Sequence, residues 1–182
     1  MANGFARSKQ EQTDWQPANA DEYKQVLSII SPQLHPYVTE HAELSTLMDE
    51  VREGFDRDVY RTALDAIGEE LEHHFRYEEE FILSKLANHI PTEEAGPIKK
   101  LKSEHQIIRD RHAEVSKLLG VSPSEESDKE LMQKMNLLAY LLKKHIEKED
   151  HYFFPLVSLV LTEAEKDQIA AEIVAENRHS DK

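Results

Sequence analysis

Residues 145–155 read HIEKEDHYFFP, and residues 73–83 read HHFRYEEEFIL. Each stretch places a glutamate four positions after a histidine, giving the pairs His145/Glu149 and His74/Glu78. On a helix, four residues turn the chain by about 40° beyond a full circle and climb roughly 6 Å, so imidazole and carboxylate converge on one point. Working outward from the first pair, Leu131, Met135, Leu138 and Leu142 recur at helical steps up to His145 and predict a helix over residues 128–155 that runs towards Pro155. Around the second pair, Leu64, Ile67, Leu71, Phe81, Ile82 and Leu86 predict a helix over residues 58–90, stopped by Pro91.

Two further segments carry the same kind of stripe. Residues 38–54 place Val38, Leu44, Met48 and Val51 on one face with His41, and residues 97–119 place Ile98, Leu101, Ile108, Val115 and Leu119 with His105 and His112. Residues 121–128 form a polar loop, residues 21–30 a short helix, and residues 162–177 a last helix opened by the capping-box spacing Thr162/Glu165. The expected fold is all-α: an antiparallel up-down-up-down four-helix bundle with an N-terminal arm and short helix and an extra C-terminal helix. Residues 1–20 are expected as a flexible arm docked through Trp15, residues 21–160 as the bundle, and residues 161–182 as the C-terminal helix and tail.

The 182 residues include 22 Lys+Arg against 36 Asp+Glu, a net charge of −14, which excludes nucleic acid as a main partner because such binding needs clustered cations. There is no cysteine, so a metal must be held by nitrogen and oxygen. No window is apolar enough for a membrane span and the N-terminus has no apolar leader, so no membrane is expected and the chain is expected to be cytoplasmic.

The polar residues that interrupt the four apolar stripes are His41, His74 with Glu78, His105, and His145 with Glu149. Composition alone would supply an HxxxE pair or two, and a third, His89 to Glu93, straddles Pro91 and reads as coincidence. Composition does not explain why the other two pairs fall on core stripes while single histidines mark the remaining two. Burying four imidazoles and two carboxylates without a partner is costly, and a cation removes the penalty, so these six are the candidate metal ligands of a two-metal site. A ferritin-like arrangement needs Glu-x-x-His on two helices, and only Glu70 to His73 has that spacing here.

EHAEL at His41, HHFRYEEEFIL, EHQIIRDR at His105 and HIEKEDHYFFP together resemble the hemerythrin-like, or HHE cation-binding, domain family over residues 37–156. The resemblance implies a four-helix bundle with two iron ions bridged by the two carboxylates and an oxo or hydroxo group. The oxygen carriers of that family have a further histidine where this chain has Arg109, and an aspartate at the position of Asp150, whereas the subgroup similar to iron–sulfur repair proteins uses the i+4 carboxylate, Glu149. Arg109 is expected to face the same cavity and to pair with Glu78, Glu149 or an anionic ligand, and Asp150 stays a second candidate for the last carboxylate.

His112 reads as a packing histidine and Glu79 as solvated, with Leu44, Met48, Ile108 and Leu138 as candidate pocket walls. Tyr77, Tyr140 and Tyr152 read as rim aromatics. The function implied is a protein that binds or senses O2, NO, peroxide or iron. The alternative is an enzyme in peroxide or NO detoxification, or in iron delivery for cluster repair, although the cysteine-containing domain of many repair proteins is missing.

Overall fold

A computed structural model describes residues 15–90 and 96–180, with side chains through residue 175. The described residues are almost wholly helical and contain no strand. Residues 1–14 of the expected arm, together with Pro91 and Glu93, lie outside them. A short helix α1 (Ala20–Ile29) is capped by Asn19, whose side chain accepts from the Asp21 and Glu22 amides. A 3-10 turn, Pro32–Leu34, leads into α2 (His35–Glu53), which starts a few residues before the predicted boundary because Pro36 is tolerated in a first helical turn.

The second long rod is not one uninterrupted α-helix. It comprises α3 (Arg57–Glu72), α4 (His74–Tyr77), a π turn over Glu78–Ile82, and α5 (Leu83–Leu86). After Gly96, whose positive φ of 119° suits a residue without a Cβ, α6 spans Pro97–Leu119 as predicted. The fourth rod begins at Glu125, inside the predicted loop, because Ser124 and Ser127 form a reciprocal cap. It runs as α7 (Glu125–Lys148), a second π turn over Glu149–Phe153, and α8 (Phe154–Val160). Pro155 therefore does not end it: the widened turn just before accommodates the ring, which sits in the first turn of α8. The last helix, α9 (Glu163–Ser180), opens with Thr162 and Glu165 capping each other and packs on the 3-10 turn and the first π turn. Ile169 and Ile173 face inward from it, whereas Val174, expected on the same side, is half exposed.

The long rods pack in a ring, α2 against α3 and α7, and α6 against α3 and α7, the arrangement of a helical bundle. The apolar core divides into two clusters. One gathers Tyr37, Val38, Ile82, Leu86, Leu101, Phe154 and Val157; the other gathers Leu44, Met48, Ile67, Phe75, Ile108, Val115, Met135 and Leu138. Between them, in all four rods, fall the histidines and glutamates singled out above.

The segment before α1 docks through Trp15, whose indole N–H donates to Asp49 Oδ1 at 2.9 Å under the Arg52 guanidinium, 4.0 Å from the ring centroid. At the end of the bundle where α2 gives way to α3, Arg57 donates through Nε and Nη2 to Asp128 and through Nη1 to the Leu119 carbonyl at 3.1 Å, joining the start of α3 to the end of α6 and the start of α7. Removal of that fork is expected to cost about 1–2 kcal/mol, the scale of a partly exposed charge-assisted contact. Arg57→Ala should therefore lower the urea midpoint with an unchanged m-value, and an unchanged midpoint would show that the fork adds nothing.

Candidate metal centre

The two π turns begin at Glu78 and Glu149, the carboxylate of each His-x-x-x-Glu pair. In each, an amide reaches back five residues, Leu83 N–H to the Glu78 carbonyl and Phe154 N–H to the Glu149 carbonyl. Such wide turns in helices frequently coincide with functional sites. Here they lie where each chelating pair enters the core, between the two apolar clusters.

The structure brings all six predicted residues together. His41, His105, Glu78 and Glu149 are buried, and His74 and His145 are 2% exposed. His41, His74, Glu78 and Glu149 form one group of converging ligand atoms, and His105, His145, Glu78 and Glu149 form a second. Glu78 turns Oε1 to His74 Nε2 at 3.0 Å and Oε2 to His105 Nε2 at 3.2 Å. Glu149 turns Oε2 to His41 Nε2 at 3.2 Å and Oε1 to His145 Nε2 at 2.8 Å. Each carboxylate thus offers one oxygen to each group.

All four imidazoles present Nε2 to the centre because each Nδ1 is engaged outside it. Nδ1 of His41 donates to Asp150 at 2.7 Å, that of His74 to Glu40 at 2.8 Å, that of His105 to Glu79 at 2.7 Å, and that of His145 to Glu104 at 3.2 Å. This is the tautomer and orientation a metal-ligating imidazole requires. Each of these acids adjoins a central residue in sequence: Glu40 precedes His41, Glu79 follows Glu78, Glu104 precedes His105 and Asp150 follows Glu149. One step along a helix turns a side chain by about 100°, from the core towards the neighbouring rod. Glu40 therefore reaches from α2 to His74, Glu79 to His105 on α6, Glu104 to His145 on α7, and Asp150 back to His41 on α2. The four contacts form a closed circuit around the bundle.

Two expectations are corrected by this circuit. Asp150 is in neither ligand group, because its side chain is spent on His41 Nδ1. Arg109 does not reach Glu78 or Glu149; its Nη1 donates to Glu79 Oε1 at 2.8 Å, and its guanidinium keeps contact with water at the rim, over the Phe75 ring. Glu79, read as solvated, is bound by both His105 and Arg109. Lys148 caps Glu104 in the same way at 2.7 Å. Glu40, Glu79 and Glu104 were missed as contributors, and the signal for them was adjacency to a core ligand.

Three further histidines are engaged elsewhere: His112 donates to the Leu64 carbonyl at 2.8 Å, His89 pairs with Glu165, and His151 pairs with Glu22. Leu44, Met48, Ile108 and Leu138 are buried beside the centre in one apolar cluster. Tyr77 is buried and Tyr152 is exposed.

The donor set fits cations. With Nδ1 of each ring a donor, Nε2 of His41 and of His74 are lone pairs facing one another at 3.1 Å, an arrangement that needs a positive charge between them. Glu78 Oε2, Glu149 Oε2 and His145 Nε2 are buried and make no hydrogen bond: in this tautomer the imidazole nitrogen or carboxylate oxygen within 3.2 Å of each is itself an acceptor, so acceptor faces acceptor. Burial pushes the imidazoles towards neutrality, yet the surrounding acids prevail. Asp150 and Glu149 hold His41 well above its ordinary value, Glu70 and Glu78 push His74 up to about 10, and Glu149 and Glu78 push His105 up to about 11. Without a metal, protons supply the positive charge.

Residues 34–157 match the hemerythrin HHE cation binding domain family. No curated protein and no solved structure matches the chain.

Because imidazoles held protonated up to about 10 and 11 must lose that proton to ligate, metal uptake near pH 7 should release protons and apparent affinity should rise with pH. Zn2+ added to metal-free protein in a weakly buffered indicator solution reads this directly. Binding without proton release would show that the imidazoles are not the ligands.

Proposed function

Since the chain belongs to the hemerythrin HHE cation-binding domain family, we propose that it is a non-haem di-iron protein that binds or senses O2, NO, peroxide or iron itself. His41 and His74 would hold one ion and His105 and His145 the other, with Glu78 and Glu149 across both. The observation that carries this reading is the sharing of both carboxylates between the two ligand groups, one oxygen to each. Six donors distributed in this way suit two ions better than one. The choice of iron rests on the family. A pair of iron ions supplies redox chemistry and open positions for a small ligand.

What the chain's own residues contribute supports the same reading. The carboxylate circuit fixes all four rings with Nε2 inward, and the apolar clusters above and below exclude water from the centre. An open, mainly apolar cleft of about 400 Å³, walled by Pro97, Leu101, Phe153 and Leu156, reaches Glu149 and offers a neutral diatomic ligand a path. The antiparallel, up-down-up-down order is also part of the proposal. Residues of the first apolar cluster precede the central histidine in α2 and α6 but follow it in the second and fourth rods, as alternating direction requires. No helix among the described residues is long and apolar enough to cross a membrane.

The enzymatic alternative is favoured by one feature. The Tyr37 hydroxyl is buried without a hydrogen-bond partner, and its ring stands edge-on to His74 with centroids 4.7 Å apart. Burial and the nearby Glu78 hold its proton far above the ordinary range, so it is a donor at neutral pH. If the centre turns over peroxide, Tyr37→Phe should slow peroxide consumption with iron content unchanged, and an equal rate removes the support for that alternative.

Protein purified without added metal should carry close to two iron atoms per chain by elemental analysis and absorb in the near ultraviolet under air. Zinc alone, or one metal per chain, overturns the proposal. His74→Ala and His145→Ala should each lose metal and thermal stability together, since either leaves a buried carboxylate without its cation. A variant that keeps both metals and the native melting temperature excludes that histidine as a ligand. Leu156→Trp, which narrows the apolar cleft, should slow the NO-induced absorbance change in stopped flow, and an unchanged rate would place ligand entry elsewhere.

A further inference from the structure

The centre has a second cleft, on the opposite side from the apolar one and of different chemistry. An open cleft of about 480 Å³ runs between α2 and α3 to His74, and its walls include Glu40, Glu43, Glu69 and Glu70. Among the described residues no lysine or arginine lines it. The two clefts therefore differ in charge: on the His105 and His145 side Arg109 and Lys148 neutralise Glu79 and Glu104, whereas Glu40 and Glu70 have no such cap within this cleft.

Glu40, Glu70 and His74 converge closely enough to hold a cation. Glu70 is the informative member. Its side chain is only 10% exposed at the floor of the cleft, and its Oε1 is buried with no hydrogen bond. That oxygen lies 3.1 Å from His74 Nδ1, but the proton there is directed to Glu40 Oε2 at 2.8 Å. It also lies 4.0 Å from His41 Nε2, an atom of the inner ligand group. A buried carboxylate oxygen without a donor, one step from the inner ligands and open to an acidic cleft, is poised for a cation. Glu40, with its side chain 56% exposed, stands further out on the same path.

We propose that Glu40 and Glu70 form a staging site for a divalent cation, which enters through the acidic cleft and passes by way of Glu70 to the His41/His74 half of the inner centre. This inference rests on the two-metal reading above. Glu43 and Glu69 widen the field that draws the cation in, and Glu70 exchanges water for a protein ligand before the ion reaches the buried imidazoles. The same negative field disfavours entry of anions by this route.

The test is the loading of metal-stripped full-length protein with Co2+, followed by visible absorption in stopped flow, with the final Co2+ content measured separately. Glu70→Gln keeps a hydrogen-bonding oxygen and removes charge, and the double variant Glu43→Gln/Glu69→Gln removes charge from the exposed cleft wall without touching the Glu40 contact that orients His74. Each should load roughly tenfold more slowly or worse and lose much of the salt dependence of the rate, while still reaching two Co2+ per chain with the native final spectrum. Loading of both variants at the native rate overturns the staging site. A Glu70→Gln protein that ends with one Co2+ also overturns it, because Glu70 would then belong to the inner centre. Native protein that fails to take up two Co2+ overturns the two-metal reading instead, which separates the two failures. Melting of the metal-free variants provides the folding control, and Glu43→Gln/Glu69→Gln, at exposed positions, remains informative if Glu70→Gln does not fold.

Discussion

The closed circuit of carboxylate-to-imidazole hydrogen bonds is the constraint around which this bundle is organised. Asp150, Glu40, Glu79 and Glu104 each grip a histidine on the adjoining rod, and each contact sets both the rotation of one helix and the tautomer of a ring on the next. Because the circuit closes, no rod can rotate or slide alone without withdrawing an acid from one ring and a ligand atom from another. The two π turns belong to the same constraint. By widening one helical turn at Glu78 and at Glu149, they alter the helical register just where a carboxylate must enter the centre and its sequence neighbour must reach outward.

This polar layer lies across the middle of an otherwise apolar core, and its energetics are conditional. Buried imidazoles and carboxylates lose hydration, and the outer hydrogen bonds return only part of that loss. The remainder depends on a central positive charge, supplied by cations or by protons on imidazoles. The apolar clusters on either side, with Phe154 and Leu86 in one and Met48, Ile67 and Met135 in the other, supply the net stability and keep water out. Phe75 links layer and core, stacking on His105 with ring centroids 3.8 Å apart.

The two halves of the centre share a ligand set but not an environment. On the His105/His145 side, surface cations close the circuit's outer acids; on the His41/His74 side, Glu40 and Glu70 face an open cleft and Glu70 Oε1 lacks a donor. The asymmetry follows from single positions: Glu70 stands four residues before His74, whereas Leu141 occupies the corresponding place before His145. An otherwise repeated pair of motifs thus carries an acidic cleft on one side and a mainly apolar one on the other.

The sequence by itself determined the helices and the six central residues, because a helix converts spacing directly into azimuth: apolar residues at steps of three and four define the buried face, and a histidine on that face is carried towards the core. It determined less about the boundaries near Ser124 and Pro155, where a local cap and a widened turn overrode the expected stop. The roles of Asp150, Arg109, Glu79 and Glu70 were decided only by tertiary structure. Their azimuths placed them at the edge of a buried face, where the partner depends on the rotation and height of the neighbouring helix. Those two quantities are set jointly by the packing of all four rods, so that Asp150 turned to His41 and Arg109 to Glu79.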